Sequence, residues 1–122
     1  MTPEEIAWSA AMFEGEGCVG PSLLRRPGDK DYWYVKVRVI STDRDVLERL
    51  HEMTGVGGIY TRKNYHKAQH KQAYEWGTSG VTALELLGLW WPWLGARRRA
   101  RAQEVADQCG RVLVGKPGEW LR

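Results

Sequence analysis

Apolar and polar residues alternate most regularly in the segment from Tyr32 to Val39. The apolar positions are Trp33, Val35, Val37 and Val39, and the positions between them hold Tyr32, Tyr34, Lys36 and Arg38. Successive side chains of a β-strand point to opposite faces of its sheet, so this period of two indicates a strand. The pattern predicts one face in the core and one outer face that is aromatic and basic.

The N-terminus carries the residues that begin a helix. Thr2-Pro3-Glu4-Glu5 combines a capping hydroxyl, a proline at the first helical position and a glutamate three residues after the cap. It predicts a first helix from Pro3 to Phe13 or Glu14. Gly15 or Gly17 would end this helix, because glycine adopts the backbone angles that follow a helix and allows a neighbour to approach closely.

Turn residues and apolar spacing indicate the remaining elements. Pro27-Gly28-Asp29-Lys30 is a turn sequence that joins two strands into a hairpin. In chain order the other predicted elements are a strand over Gly17 to Arg26, a helix over about Asp43 to Thr54, a hairpin of Gly58 to Lys63 and Lys71 to Gly77, a helix from Ser79 to Leu94, a helix over Arg97 to Gln108, and a loose tail from Gly115. The helix from Ser79 follows a cap at Thr78 or Ser79, and Pro92 bends or ends it. This order predicts an α+β domain with a four-stranded antiparallel sheet and one free sheet face.

Length and composition fit a single globular domain spanning residues 1–122. The chain has a mass of 14.0 kDa, with 43% hydrophobic and 27% charged residues, which excludes an extended rod or a wholly disordered chain. No apolar run reaches the length of a membrane span, and the N-terminus is acidic where a secretory signal would be basic. The two cysteines lack CxxC spacing. We therefore expect a soluble intracellular protein with reduced thiols.

Charge is distributed unevenly along the chain. The first 24 residues hold four carboxylates and no Lys or Arg, so the net charge of +3 becomes +7 for the remainder. A basic body indicates a polyanionic partner, although a solvated charged surface is the commoner explanation. Charge alone does not decide between the two.

The segment from Ser9 to Gly17 reads SAAMFEGEG, and it resembles the core motif of the LAGLIDADG homing endonucleases. Ala10 and Gly17 are identical to the motif, the apolar pair is kept, and two glutamates replace its two aspartates. Ser9 and Ala11 depart from the motif's leucine and glycine. The resemblance extends to Trp91-Pro92-Trp93-Leu94 and the basic residue after it, and so covers residues 6–101.

The resemblance implies a dimer. The predicted order of elements is the family's αββαββα order, and one motif per chain implies a homodimer in which two motif helices pair about a twofold axis. Small residues let two helices approach closely. The interface would hold Ala7, Ala10, Ala11 and Glu14, although the alanines are also ordinary helix formers.

The resemblance also implies a metal-dependent active site at the end of the first helix. Pairing would bring two Glu16 carboxylates close together, and a divalent cation, best Mg²⁺, would relieve their repulsion. The family position of Gly15 offers a backbone carbonyl to the metal, whereas Glu14 is expected to be a structural carboxylate. Arg97 would stabilise the transition state, or else clamp a phosphate or lie on the helix surface. Ser41 would order water, or else cap the second helix.

DNA recognition is expected from the outer face of the sheet, because a two-stranded ribbon fits the major groove. Candidates to reach base edges are Tyr32, Tyr34, Lys36 and Arg38 on the second strand, Ser22, Leu24 and Arg26 on the first, and Tyr60 and Arg62 on the third. On the fourth strand the choice among Tyr74, Glu75 and Trp76 stays open. Phosphate contacts are expected from Arg25, Lys63, Lys67 and Lys71.

The implied function is a site-specific double-strand DNA endonuclease, which hydrolyses phosphodiesters with Mg²⁺ as a homodimer on a long pseudo-palindromic site. Two alternatives stay open. One is a DNA-binding protein of the same fold without nuclease activity, and the other is an RNA-binding splicing helper that needs no metal. The excess of arginine over lysine is typical of a GC-rich bacterial or phage genome rather than an organelle.

Overall fold

Four antiparallel strands form a sheet in which the second and fourth strands of the chain are central. The computed structural model describes residues 1–28, 30–63 and 71–113. Its elements are α1 (Pro3–Glu16), β1 (Gly17–Leu24), β2 (Tyr32–Ser41), α2 (Arg44–Thr54), β3 (Gly58–Thr61), β4 (Tyr74–Ser79), α3 (Val81–Trp90), a 3₁₀ turn (Trp91–Trp93) and α4 (Ala96–Gln108). The strand order is β1-β2-β4-β3. The predicted α+β fold, its four-stranded antiparallel sheet and its order of elements are confirmed.

The start of α1 is a reciprocal cap of the predicted kind. The Thr2 hydroxyl accepts a hydrogen bond from the Glu5 backbone N–H at 3.1 Å, and the Glu5 carboxylate accepts one from the Thr2 N–H at 2.9 Å. These hydrogen bonds to Thr2 lower the pKa of Glu5. The helix continues to Glu16, beyond the predicted end, and Gly17 follows it. A Cβ at Gly17 would overlap with the Phe13 ring and its carbonyl oxygen, so the chain needs glycine there.

Most element boundaries differ from prediction by a few residues, and one cap prediction was wrong. Thr78 and Ser79 pair with Val37 and Lys36 of β2, so they belong to the sheet and do not cap α3. The residue before α3 is Gly80, whose φ of +71° suits glycine. The predicted tail from Gly115 lies outside the described residues.

The helices cover one face of the sheet and enclose the core. Val35, Val37 and Val39 are buried, as the alternation predicted, whereas Trp33 near the start of β2 is 42% exposed. Leu47, Leu50, Leu87 and Trp76 complete this layer, and the Phe13 ring stacks on Trp90 with centroids 4.9 Å apart. In the part of the chain that the structure describes, no helix is long and apolar enough to cross a bilayer.

Ser9 explains how a polar residue fits where the motif has leucine. Its side chain is fully buried, and its hydroxyl oxygen lies 2.7 Å from the Glu5 carbonyl, to which it donates. The same oxygen accepts a hydrogen bond from the Trp90 indole N–H at 2.9 Å. Both ends of the hydroxyl are satisfied, so the serine joins α1 to α3 through the core.

Replacing Ser9 by alanine is expected to lower the free energy of unfolding by about 1–3 kcal/mol, because the Trp90 N–H would be left buried without a partner. Urea unfolding, followed by tryptophan fluorescence, measures this change. Ser79→Ala, at an exposed position of β4, is the matched control and should change stability by less than about 0.5 kcal/mol. Equal effects of the two substitutions would contradict a structural role for the buried hydrogen bond.

Candidate functional site

The register of the sheet brings the predicted reading residues onto one outer face. Across β1 and β2, Ser22 lies opposite Tyr34 and Leu24 lies opposite Tyr32. The Ser22 hydroxyl donates to the Tyr34 hydroxyl at 3.0 Å, and the Tyr32 and Tyr34 rings stack with centroids 6.3 Å apart. Tyr60 of β3 is 59% exposed on the same face.

The outer face has two shallow hollows, of about 300 and 170 Å³, where glycines lie in or beside the paired strands. The larger hollow is lined by Tyr34, Lys36, Gly57, Gly58, Tyr60, Gly77, Thr78 and Ser79. The smaller hollow is lined by Cys18, Gly20, Pro21, Ser22, Lys36 and Arg38.

The orientation of β4 is decided by its pairing. Glu75 lies opposite Ile40 of β2 and Tyr60 of β3, and its side chain is on the outer face. Trp76 is fully buried beneath the sheet and donates its indole N–H to the Val56 carbonyl at 3.1 Å. Of the three residues left open on this strand, Glu75 is therefore the one at the outer surface.

Glu75 holds three basic side chains on this surface. Its Oε1 accepts a hydrogen bond from Arg62 Nη1 at 2.9 Å and lies 3.8 Å from Arg38 Nη1, and its Oε2 lies 3.6 Å from Lys36 Nζ. The carboxylate side chain is only 12% exposed, whereas the three cations are 38–43% exposed. Each of these cations was a predicted base-reading residue. The sequence did not predict that the Glu75 carboxylate lies between them, because only the pairing of β4 shows which side chains are its neighbours.

The other predicted DNA contacts lie at the ends of strands. Arg26 lies beyond the end of β1 rather than in it, and it is exposed like the phosphate candidates Arg25, Lys63 and Lys71. Lys67 lies outside the described residues. Arg111, which follows α4, was not predicted. Its guanidinium lies 5.2 Å from the Tyr32 ring centre and donates to the Tyr32 hydroxyl, so the segment after α4 adds a cation to the rim of the outer face.

A cleft of about 370 Å³ opens where α1, β2 and α2 meet. It is lined by Met12, Glu16, Ile40, Ser41, Thr42, Asp43, Val46 and Ala73, so it brings the predicted Glu16 and Ser41 together. The Ser41 hydroxyl oxygen accepts a hydrogen bond from the Asp43 N–H at 3.0 Å, and this bond does not use the hydroxyl proton. Asp43 occupies the N-cap position of α2 without a side-chain cap hydrogen bond. Its carboxylate is a second acidic group here, whereas the sequence placed Asp43 only at the start of the second helix.

The acidic cleft offers donors of the type that Mg²⁺ prefers, but few of them. Carboxylate oxygens and waters are typical Mg²⁺ ligands, and protein sites commonly supply only one or two carboxylates. Within residues 1–28, 30–63 and 71–113, no group of three or more His, Cys, Asp or Glu residues could hold a metal ion. Glu16 and Asp43 are two carboxylates that line the same cleft, so a cation held there would take its remaining ligands from water, phosphate oxygen or groups of another chain.

Arg98, rather than its neighbour Arg97, contacts the motif. Its Nη2 donates to the Glu14 carbonyl at 2.9 Å and its Nη1 donates to the Gly17 carbonyl at 2.6 Å, while the guanidinium lies 5.3 Å from the Phe13 ring centre. Arg97 is exposed and lines a groove of about 300 Å³ with Arg98 and Arg101, apart from the residues that line the acidic cleft. Helical spacing could not distinguish the two adjacent arginines, because the choice depends on how α4 rotates against β1.

One of the predicted dimer-interface residues has no exposed surface. Ala10 is fully buried in the core, so no surface of it remains for a second helix and that prediction was wrong. The Glu14 carboxylate faces Arg98, with Oε2 3.8 Å from Arg98 Nε, and this Oε2 atom is buried without a hydrogen bond. Its side chain is 37% exposed, so both the structural role and the interface role of Glu14 stay predictions. Ala7 is partly exposed and Ala11 is exposed.

The fold is that of solved homing endonucleases. I-CvuI, bound to its target in the presence of Ca, matches with a TM-score of 0.68 and 21% identity over 88% of this chain and 66% of that chain. I-CvuI was also solved in the presence of Mg with an I-CreI target that is not cleaved. The archaeal intron-encoded I-Vdi141I, complexed with DNA, matches with a TM-score of 0.65 and 16% identity over 90% of this chain and 69% of that chain. I-LtrWI, a LAGLIDADG homing endonuclease bound to target DNA, matches with a TM-score of 0.51 and 13% identity over 92% of this chain and 32% of that chain.

Sequence comparisons add no further relative. No protein-family model matches the chain, and no curated protein sequence matches it. The chain spans slightly less than two thirds of the length of I-CvuI. At these identities the likeness concerns the fold alone, and it shows that the chain has the LAGLIDADG homing endonuclease fold.

Replacing Arg98 by methionine is expected to lower the free energy of unfolding by about 2–3 kcal/mol, because two backbone carbonyls and a partly buried carboxylate would lose a charged donor. Arg97→Met, one residue earlier on the exposed side of α4, should change it by less than about 0.5 kcal/mol. Thermal or urea unfolding of the pair measures the difference. A larger effect at Arg97 would show that the end of α1 is held in another way.

Proposed function

We propose that this chain, which has the LAGLIDADG homing endonuclease fold, is a site-specific double-strand DNA endonuclease that acts as a homodimer with a divalent cation. One observation carries the proposal. The acidic cleft with Glu16 lies at the end of α1, and the sheet that begins at the next residue presents a basic and aromatic outer face. This arrangement supports the proposal, because the outer face would bind duplex DNA close to carboxylates that would hold a cation.

The outer face supplies both kinds of DNA contact. Lys36 and Arg38 project from the central strand β2, and Arg62, which follows the edge strand β3, shares the Glu75 carboxylate with them. A ribbon of strands would bring these groups to base edges in the major groove. Arg25, Lys63 and Lys71 lie at strand ends, where they would neutralise phosphates and set the register on the duplex. I-CvuI bound to its target and I-Vdi141I complexed with DNA support this use of the fold.

A divalent cation would supply activation of water and stabilisation of charge on the phosphate. In this chain Glu16 would hold it, together with the backbone carbonyl of Gly15, and Asp43 would add a second carboxylate from α2. The Ser41 hydroxyl would orient a water molecule in the cleft through its proton. Arg97 carries a permanent positive charge at an exposed position, which suits contact with a phosphate rather than proton transfer. The Mg and Ca named for the I-CvuI structures support the choice of cation.

A dimer would supply one acidic cleft for each DNA strand. With Ala10 in the core, the exposed stripe of α1 consists of Ala7, Ala11 and Gly15 at intervals of four residues. Residues four apart lie on one face of a helix, and small ones let two helices approach closely. Pairing of α1 with its copy about a twofold axis would also bring the two Glu16 side chains toward each other and match a pseudo-palindromic site.

A DNA-binding protein without nuclease activity is the second candidate. The observation in its favour is the small set of metal donors among the described residues, since no group of three metal-binding side chains occurs there. Such a protein would use the same sheet surface and keep Glu16 only as the solvated end of α1. Splicing assistance through RNA binding would likewise need the basic sheet but no cation.

Glu16→Gln is expected to reduce cleavage at least about 100-fold, because the neutral amide cannot hold the cation that activates water. Cleavage is measured with Mg²⁺ on a site selected from a random duplex library, and DNA affinity is measured with Ca²⁺. Affinity should stay within about threefold of the wild type. Glu104→Gln, which removes an exposed charge from α4, is the control and should cleave normally. Full cleavage by Glu16→Gln would show that another carboxylate, such as Asp43, binds the metal instead.

Sedimentation at micromolar concentration is expected to give about twice the 14.0 kDa chain mass. Ala11→Arg should shift the protein to monomer, because a long charged side chain would separate the two α1 helices. Ala100→Arg, the same substitution at an exposed position of α4, is the control and should leave the dimer intact. A wild-type chain that stays monomeric on DNA would contradict the proposed assembly.

A further inference from the structure

We infer that Glu75 determines how sharply the sheet discriminates among DNA sequences, because it orients the guanidinium groups of Arg62 and Arg38 and neutralises part of their charge. This inference rests on the proposed function. It assigns a role to an acidic residue in the middle of a basic surface. Glu75 is thereby a positioning residue for recognition and not itself a group that contacts a base.

The accessibility of the cluster separates these two roles. Both carboxylate oxygens of Glu75 are engaged by cations, and its side chain is only 12% exposed. A carboxylate that accepted a hydrogen bond from a cytosine amino group would need a free, exposed oxygen. Arg62 and Arg38 are each 43% exposed, so more of their side-chain surface is accessible to DNA than of the carboxylate that holds them.

Orientation is the first effect of the carboxylate. A guanidinium is planar, and a bidentate contact to guanine uses two of its donors in a fixed geometry. Because Glu75 Oε1 holds Nη1 of Arg62 at 2.9 Å, it restricts the plane of the remaining donors before DNA arrives. Because this guanidinium is already ordered in the free protein, binding does not have to pay the cost of ordering it. A base pair that fits this orientation is therefore favoured over one that needs another orientation.

Charge is the second effect. Three cations around one carboxylate carry a net charge of +2 rather than +3, which reduces the attraction of this patch for phosphates of any sequence. Stability does not explain the arrangement, because ion pairs with such exposed partners contribute little to folding. A carboxylate here lowers the affinity for DNA of any sequence, but it does not remove the contacts to base edges that depend on base identity.

Two substitutions of Glu75 separate orientation from charge. Glu75→Gln keeps the shape and removes the charge, whereas Glu75→Asp keeps the charge and withdraws it from Arg62 by one methylene. Glu48→Gln is the matched control, since it breaks an exposed ion pair with Arg44 on α2 and changes the net charge equally. Each protein is titrated with Ca²⁺ against a selected site and against a duplex library with a randomised centre, over a range of salt concentrations. Thermal unfolding of each variant verifies that it is folded.

We expect Glu75→Gln to bind the random library more tightly, with a salt slope steeper by about 0.9 for each additional phosphate contact. Its preference at the base pairs beneath the cluster should fall by roughly 5- to 150-fold, the range expected for loss of one good bidentate contact. Glu75→Asp should lose preference at the same base pairs while its affinity for the random library stays unchanged. Arg62→Gln should lose preference there as well, and it tests the same contact if a Glu75 variant does not fold.

The outcomes distinguish this inference from the function on which it rests. If the wild-type chain binds no duplex or binds all sequences alike, both are overturned. If the wild type is selective and both Glu75 variants keep its sequence profile, only the role of Glu75 is overturned. If Glu75→Gln and Glu48→Gln gain equal affinity for the library, the effect comes from the net charge of the chain and not from the position of Glu75. That result would also overturn the inference.

Discussion

The direct passage from α1 into β1 at Gly17 is the constraint on which the rest of the structure depends. The helix ends at Glu16 and the strand begins at the next residue, with no loop between them. A Cβ at Gly17 would collide with Phe13, and Arg98 binds the carbonyls of Glu14 and Gly17 on the two sides of the junction. The acidic end of the helix is therefore fixed against the edge of the sheet.

The acidic and basic parts of the chain lie in different parts of this structure. The acidic N-terminal part contains α1, which ends at the cleft, and β1, whereas the basic remainder contains the other three strands of the sheet and α4. Inner positions of β2 are buried valines, whereas its outer positions carry tyrosine, lysine and arginine. Since a strand alternates its two faces, one strand contributes both to the core and to the proposed DNA surface.

Two carboxylates that face arginine side chains lie in different parts of the proposed site. Glu14 faces Arg98 and fixes the end of α1, while Glu75 faces Arg62 and Arg38 and fixes the middle of the outer face. Glu75 accepts a hydrogen bond that restricts the guanidinium of Arg62, whereas Arg98 is held by the backbone carbonyls of Glu14 and Gly17 with the Glu14 carboxylate nearby. The candidate catalytic and recognition groups thus depend on side chains that contact neither metal nor DNA in the proposed function.

The sequence by itself determined the elements, their order and the two faces of β2, because capping residues, turn residues and the period of two act within a few positions of the chain. It also gave the motif, and with it Glu16 and Ser41, which the structure places in one cleft. Tertiary structure decided what depends on partners far along the chain. The burial of Ala10 depends on how α1 rotates against the core, and the role of Arg98 depends on contacts with residues 81 and 84 positions away. The outward direction of Glu75 depends on the pairing of β4 with β2, which no local pattern specifies because every residue of a short strand fits either face until its neighbour sets the register.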